Sequence, residues 1–175
     1  MTAAELIEKA RSQSREIEEL KKIMESPDRN LRLSAFELMM NSDNPIYREL
    51  AIESGLASTD SLLRSQALKA TVFNMDALYI DLTVDENAPD EAEEKAKAAL
   101  AAGVPRLIIT IRSKDQKNDS MEVATRYSGK AEIQGVNYVF QTSGEAGTLT
   151  LKDGALLQGP VAMGGNRYIG SVKLR

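Results

Sequence analysis

One pattern is written three times between Ser26 and Phe73, and it dictates how that stretch is built. It reads Ser-x-Asp/Asn-x-x-Leu/Tyr-Arg-x-x-Ala followed by a bulky apolar residue. The copies are Ser26-Asp28-Leu31-Arg32-Ala35-Phe36, Ser42-Asn44-Tyr47-Arg48-Ala51-Ile52 and Ser58-Asp60-Leu63-Arg64-Ala67-Leu68, each beginning 16 residues after the last. The Asp or Asn is placed as a helix N-cap, whose side-chain oxygen accepts a bond from an early backbone N–H. Pro45, directly after Asn44, occupies the first helical position, where a missing N–H costs nothing. Asn41 and Gly55 are placed to close the first two helices in a left-handed conformation. Within each copy the Leu/Tyr, Ala and bulky positions share a face, and the small Ala lets a neighbouring helix approach. Short helices of this kind cannot bury their apolar faces alone, so they stack as consecutive α-hairpins.

The repeated arginine allows two readings. Asp28–Arg32 and Asp60–Arg64 have the spacing to pair along a helix, and an exposed pair contributes about 0.3–0.5 kcal/mol. The guanidinium groups could equally bond the preceding turn's carboxylate or carbonyls. An anion-binding ladder is the functional alternative, but the arginine recurs together with caps and core residues, so a structural role is expected. A fourth copy is expected to open at Asn74-Met75-Asp76 with Tyr79 in register, although Ile80 stands where Arg belongs.

The Asp-x-x-Leu-Arg-x-x-Ala core over residues 26–73 resembles HEAT-type α-hairpin repeats, especially the short bacterial variety. It differs in carrying the motif on every helix rather than once per pair, and Asn44 and Tyr47 depart from it in the middle copy. The resemblance implies a scaffold for binding proteins and no chemistry.

Ahead of the repeats, Ala3 to Met24 is expected to be one long helix opened by a Thr2/Glu5 capping box. Leu6, Ala10, Ile17, Leu20 and Met24 form a narrow apolar stripe interrupted by Gln13. Packing on the following helices is the expected use of that stripe, with a homodimer through residues 3–24 as the alternative.

After the repeats the charge changes. Residues 1–80 carry 10 basic and 13 acidic side chains (−3), residues 81–103 carry 2 and 7 (−5), and residues 104–175 carry 10 and 6 (+4). This places three parts: a helical domain over 1–80, an acidic connector with one helix over 81–103, and an all-β domain over 104–175. In the connector, Asp90 to Ala102 favours helix, Gly103 caps it and Pro105 stops it. Its acidic cluster is read as a solvated helix start rather than a cation site.

From Arg106 the periodicity becomes two. Seven strands are expected: 107–111, 121–127, 130–134, 137–141, 147–152, 155–161 and 167–174, separated by hairpin signals such as Ser128-Gly129 and Asp153-Gly154. A three-residue Lys152-Asp153-Gly154 loop would set Leu149 against Leu157 and Leu151 against Ala155, burying all four. Tyr168, Gly170, Val172 and Leu174 are expected to face inward. The fold class is therefore α+β with segregated parts, a helical-repeat domain followed by a small antiparallel β-barrel or β-sandwich.

Composition narrows the function. The chain has no Cys and no His. Thiolate zinc sites, disulfides, Cys nucleophiles, His bases and the Ser-His-Asp arrangement are thereby excluded. No phosphate-binding Gly loop, calcium loop or Ser-x-x-Lys motif fits, so no catalytic residue, cofactor or metal is expected. The charge distribution lacks the basic stripe of a nucleic-acid binder, and no apolar run is long enough to insert in a membrane as a helix. A non-enzymatic protein–protein interaction or scaffold protein is expected, with helices and β domain binding separate partners. The alternative is a β-barrel that binds a lipid or glycan at one mouth, using Tyr127, Tyr138, Tyr168, Arg126 and Arg167. A soluble chain is expected, bacterial periplasmic or secreted if a leader was removed ahead of Met1 and cytoplasmic otherwise.

Overall fold

A computed structural model describes residues 1–103 and 106–175. The expected stop at Pro105 and the expected domain start at residue 104 lie outside the described residues. The chain is α+β and divides into two compact units, Met1–Ala67 and Leu68–Arg175.

The first unit contains α1 (Ala3–Met24), α2 (Arg29–Met40), α3 (Pro45–Ala57) and the start of α4 (Ser61–Phe73). The repeat is a turn-closing device. Ser26, Ser42 and Ser58 accept through Oγ from the backbone N–H of Asp28, Asn44 and Asp60, at 3.2, 3.1 and 3.1 Å. Asp28, Asn44 and Asp60 then accept the N–H of the residue two ahead, at 2.9, 3.0 and 2.9 Å. Arg32 donates to the Ser26 carbonyl at 2.7 Å, and Arg48 donates to the Ser42 carbonyl in the same way. Ser, Asx and Arg recur together because they tie one turn from three sides.

Of the bonds the spacing allows, Arg32 makes those to the turn's carbonyls and not the one to Asp28. Arg32 reaches Asp60 instead, Nη2 to Oδ2 at 3.0 Å, and Arg29 reaches the same oxygen at 2.8 Å. The Asp60 side chain is only 8% exposed. The Arg29 bond, joined by the backbone N–H groups of Leu63 and Leu62 and by Arg32, outweighs burial and pulls its carboxyl down to about 2. A carboxyl lowered on folding stabilises fully above its ordinary value of 3.8, and that contribution is lost as pH falls toward about 2. Asp60→Asn keeps a capping acceptor but loses both arginines. It is expected to be less stable than the native chain at neutral pH, with the gap closing between pH 3.8 and about 2. Parallel acid-unfolding curves for the two proteins would contradict this.

Asn41 and Gly55 do not act as left-handed caps. Asn41 has φ −85°, and Gly55 lies inside α3, buried. A Cβ on Gly55 would sit 2.6 Å from the Ala67 Cβ and 3.2 Å from the Phe36 ring. The glycine is there for close packing against Phe36 and Ala67, both buried.

The second unit is a closed barrel of eight antiparallel strands in sequence order, β1 (Ala77–Val84), β2 (Arg106–Asp115), β3 (Ser120–Ala124), β4 (Ser128–Gln134), β5 (Asn137–Thr142), β6 (Glu145–Lys152), β7 (Leu156–Met163) and β8 (Asn166–Lys173). β8 returns to pair with β1, Leu82 opposite Gly170. The fourth helical copy expected from Asn74 is therefore β1, with Leu78, Ile80 and Leu82 buried and Tyr79, Asp81 and Thr83 outside. The expected boundary at residue 80 falls inside this strand. The connector helix α5 (Asp90–Ala101) interrupts the barrel between β1 and β2, buries Ala96, and is followed by Gly103 at φ +102° as expected.

The β6–β7 hairpin corrects the expected register. Leu151 faces Leu157 and Lys152 faces Leu156, so the loop is Asp153-Gly154-Ala155, with Gly154 and Ala155 at φ +73° and +56°. Leu149, Leu151 and Leu157 are all buried, whereas Ala155 stays in the loop. A two-residue shift preserves which face each side chain occupies, which is why the burial was legible and the pairing was not. The expected strand to Tyr127 ends at Ala124, while Tyr168, Gly170, Val172 and Leu174 all turn inward.

An eight-stranded barrel is just wide enough for its own side chains to fill. Here Tyr138, Phe140, Leu149, Leu157, Tyr168, Ile80 and Ile109 are fully buried.

Candidate functional site

The antiparallel register gathers four chain reversals at one end of the barrel. They are the exit from β1 toward α5, the Thr125-Arg126-Tyr127 turn, the Ser143-Gly144 turn and the Gly164-Gly165 turn. A cleft of about 460 Å³ opens there, lined by Arg106, Arg126, Tyr127, Gly144, Glu145 and Met163 among others.

At its base Glu145 is 91% buried by residue, being 9% exposed. Two threonines hold its carboxylate. Thr125 donates to Oε2 at 2.7 Å, and Thr142 donates to the same oxygen. Each threonine also shapes its own turn. Thr125 Oγ1 accepts from the Tyr127 N–H at 3.2 Å, and Thr142 Oγ1 accepts from the Gly144 and Glu145 N–H groups at 3.2 and 3.0 Å. The hydroxyls thus accept hydrogen bonds from the backbone on one side and donate their own to Glu145 on the other. Oε1 receives no hydrogen bond among the described residues. Burying a carboxylate is costly, and hydroxyl donors offset only part of that cost.

The cleft wall is also aromatic and basic. Tyr127 is 44% exposed, and its ring lies against Gly144, where a Cβ would come within 2.6 Å of Cε2. Gly144 therefore seats the ring over the β5–β6 turn. Arg106 is committed to Asp81 at 2.7 Å. Arg126 is exposed and forms no ion pair or hydrogen bond among the described residues.

Of the five residues expected to bind a ligand, the cleft brings together Arg126 and Tyr127. Tyr168 belongs to the core at 1% exposure, its hydroxyl bonded by Asn166 Nδ2 at 3.2 Å. Tyr138 is also in the core, 6.0 Å from the Phe140 ring between centroids. Burial pushes its phenol well above the ordinary range, and its hydroxyl has no partner among the described residues. Arg167 makes an ion pair with Asp85, Nη2 to Oδ2 at 3.3 Å, where the Asp85 side chain is 4% exposed. Asp85 also accepts the Asn87 N–H at 3.1 Å, so the pair anchors the turn into α5 against β8. Arg167 further edges a shallow groove of about 360 Å³ across the outside of β5 to β8.

Glu145, Thr125 and Thr142 were not singled out in the sequence. The available signal was Thr142-x-x-Glu145, a spacing in which a hydroxyl can bond the backbone and carboxylate three residues on.

No group of three or more carboxylates is placed to hold a metal ion among the described residues. Nor is any described helix long and apolar enough to cross a membrane. No known family pattern and no curated protein matches the chain.

Proposed function

We propose that this chain is a non-enzymatic interaction protein in which the helical unit and the barrel bind separate partners. One observation carries the first half of that reading. Residues 1–16 are exposed throughout, yet they include Leu6 and Ile7, at 53% and 54% exposure, on a continuous helix. The rest of the stripe is used within the unit, ending at buried Met24. A free helical segment of this length is marginal in water, so the exposed half of the stripe is read as a contact surface. Its occupant is a second copy of the chain. Residues 3–15 carry Glu5 and Glu8 against Lys9, Arg11 and Arg15, so two such segments laid antiparallel offer each other both signs of charge. Residues 26–73 are read alongside it as a HEAT-type scaffold, on the repeated Asp-x-x-Leu-Arg-x-x-Ala motif.

Light scattering on the full chain over a concentration series is expected to show mass rising above the 19.1 kDa monomer. Leu6→Lys with Ile7→Lys is expected to hold it at monomer mass and to leave the melting temperature unchanged where the native chain is itself monomeric, because neither side chain is buried within one chain. A native chain that stays monomeric throughout would overturn the dimer.

A second reading, a small-ligand-binding barrel, draws on the mouth cleft. The filled interior moves the ligand from the lumen to the rim, which favours a polar ligand over a lipid tail. Its mark is a ligand-induced shift of the Tyr127 and Gly144 amide resonances.

A further inference from the structure

The barrel mouth is a charge-complementary cleft, and its two unmatched groups have opposite signs. Glu145 brings a largely buried carboxylate whose Oε1 has no donor among the described residues. Arg126 brings an exposed guanidinium with no carboxylate partner among them. Both line, with Tyr127, one cleft of about 460 Å³, within the range that accepts a small molecule. Met163 and Leu107 supply apolar wall. Resting on the reading of this mouth as a ligand site, we propose that it binds a small zwitterion of the amino-acid type, its ammonium on Glu145 and its carboxylate on Arg126.

The two opposite charges favour this class over a simple anion or cation. An anion alone would meet Arg126 but bring a second negative charge beside a buried carboxylate. A cation alone would satisfy Glu145 but leave the guanidinium of the same cleft without a counter-charge. A zwitterion satisfies both, and a carboxylate can take the planar guanidinium in bidentate fashion. The Tyr127 face adds an attraction for the ammonium or for an apolar side chain. Glu145 is held from two turns by Thr125 and Thr142, so the anionic end of the site exists before the ligand arrives.

The probes are L-leucine, isoamylamine and 4-methylvalerate: the zwitterion, its ammonium half and its carboxylate half. Each is titrated to millimolar concentration into the full chain while backbone amide resonances are followed. L-leucine is expected to shift the Thr125–Tyr127 and Gly144–Glu145 amides and to bind about tenfold or more tighter than either half. Glu145→Gln keeps an acceptor for both threonines and is expected to erase the advantage over 4-methylvalerate. Arg126→Ala is expected to erase the advantage over isoamylamine. Equal binding of all three probes overturns the proposal. Silence of these amides with all three does so too, as does an Arg126–Glu145 pair within the chain that excludes them. Should a half-probe alone shift the same amides, the mouth stands as a ligand site and the zwitterion falls. Should other ligands also leave them silent, both fall.

Discussion

Tyr168→Ala is expected to lower the stability of the barrel by about 3–5 kcal/mol, the range for deleting a buried aromatic. Tyr168 is 1% exposed, sits opposite Val84 and Val161 on neighbouring strands, and has its hydroxyl bonded to Asn166. Removing the ring opens a cavity at the seam where the last strand meets the first, and the seam has little room to collapse. Tyr127→Ala makes the informative contrast. Its ring is 44% exposed and rests on a turn, so its removal is expected to change stability by no more than about 0.5 kcal/mol. Denaturant unfolding of the two variants separates core from surface among tyrosines alike in the sequence. A Tyr168→Ala protein as stable as Tyr127→Ala would mean that the seam is not packed as described.

Tyr138→Phe has the opposite sign. The Tyr138 side chain is fully buried, and its hydroxyl has no partner among the described residues. A buried hydroxyl without a bond costs about 1–3 kcal/mol. Phenylalanine keeps the ring, its contact with Phe140 and nearly all the volume while removing that cost. The variant is therefore expected to gain up to about 1–3 kcal/mol, where most core substitutions lose stability. Thermal and denaturant unfolding measure it, and a loss of stability would show that the hydroxyl is bonded in solution.

The contrast between these tyrosines shows how far the sequence could be read. The repeat named its own caps because Asp28, Asn44 and Asp60 act within a few residues of chain, where spacing and geometry are the same thing. Strand alternation was legible for the same reason, and Val172 and Leu174 turn inward as their period requires. β1 was hidden because two periods overlap there. Leu78, Ile80 and Leu82 alternate as a strand, but Asn74, Asp76 and Tyr79 also continue the 16-residue phase of the helices. Closure decided between them, since β1 supplies the partner for both β2 and β8. The Arg32–Asp60 bond joins residues 28 apart in sequence, which no local spacing announces. Arg126 and Tyr127 could be proposed as site residues by type, but Glu145 could not, because a single carboxylate becomes unusual only once it is buried.

Closure also sets an order of events for a chain made from its N-terminus. The caps, turns and helix pairs of the first unit join residues close in sequence and can form early. β1 is made soon after them, yet one of its edges must wait for β8, whose Ile169 carbonyl accepts the Thr83 hydroxyl across a separation of 86 residues. Pairings of such long range form slowly, and until β8 emerges the nascent sheet has two open edges. β8 is therefore a latch: its loss would leave a long β ribbon with unpaired backbone on both sides, open to pairing with its neighbours.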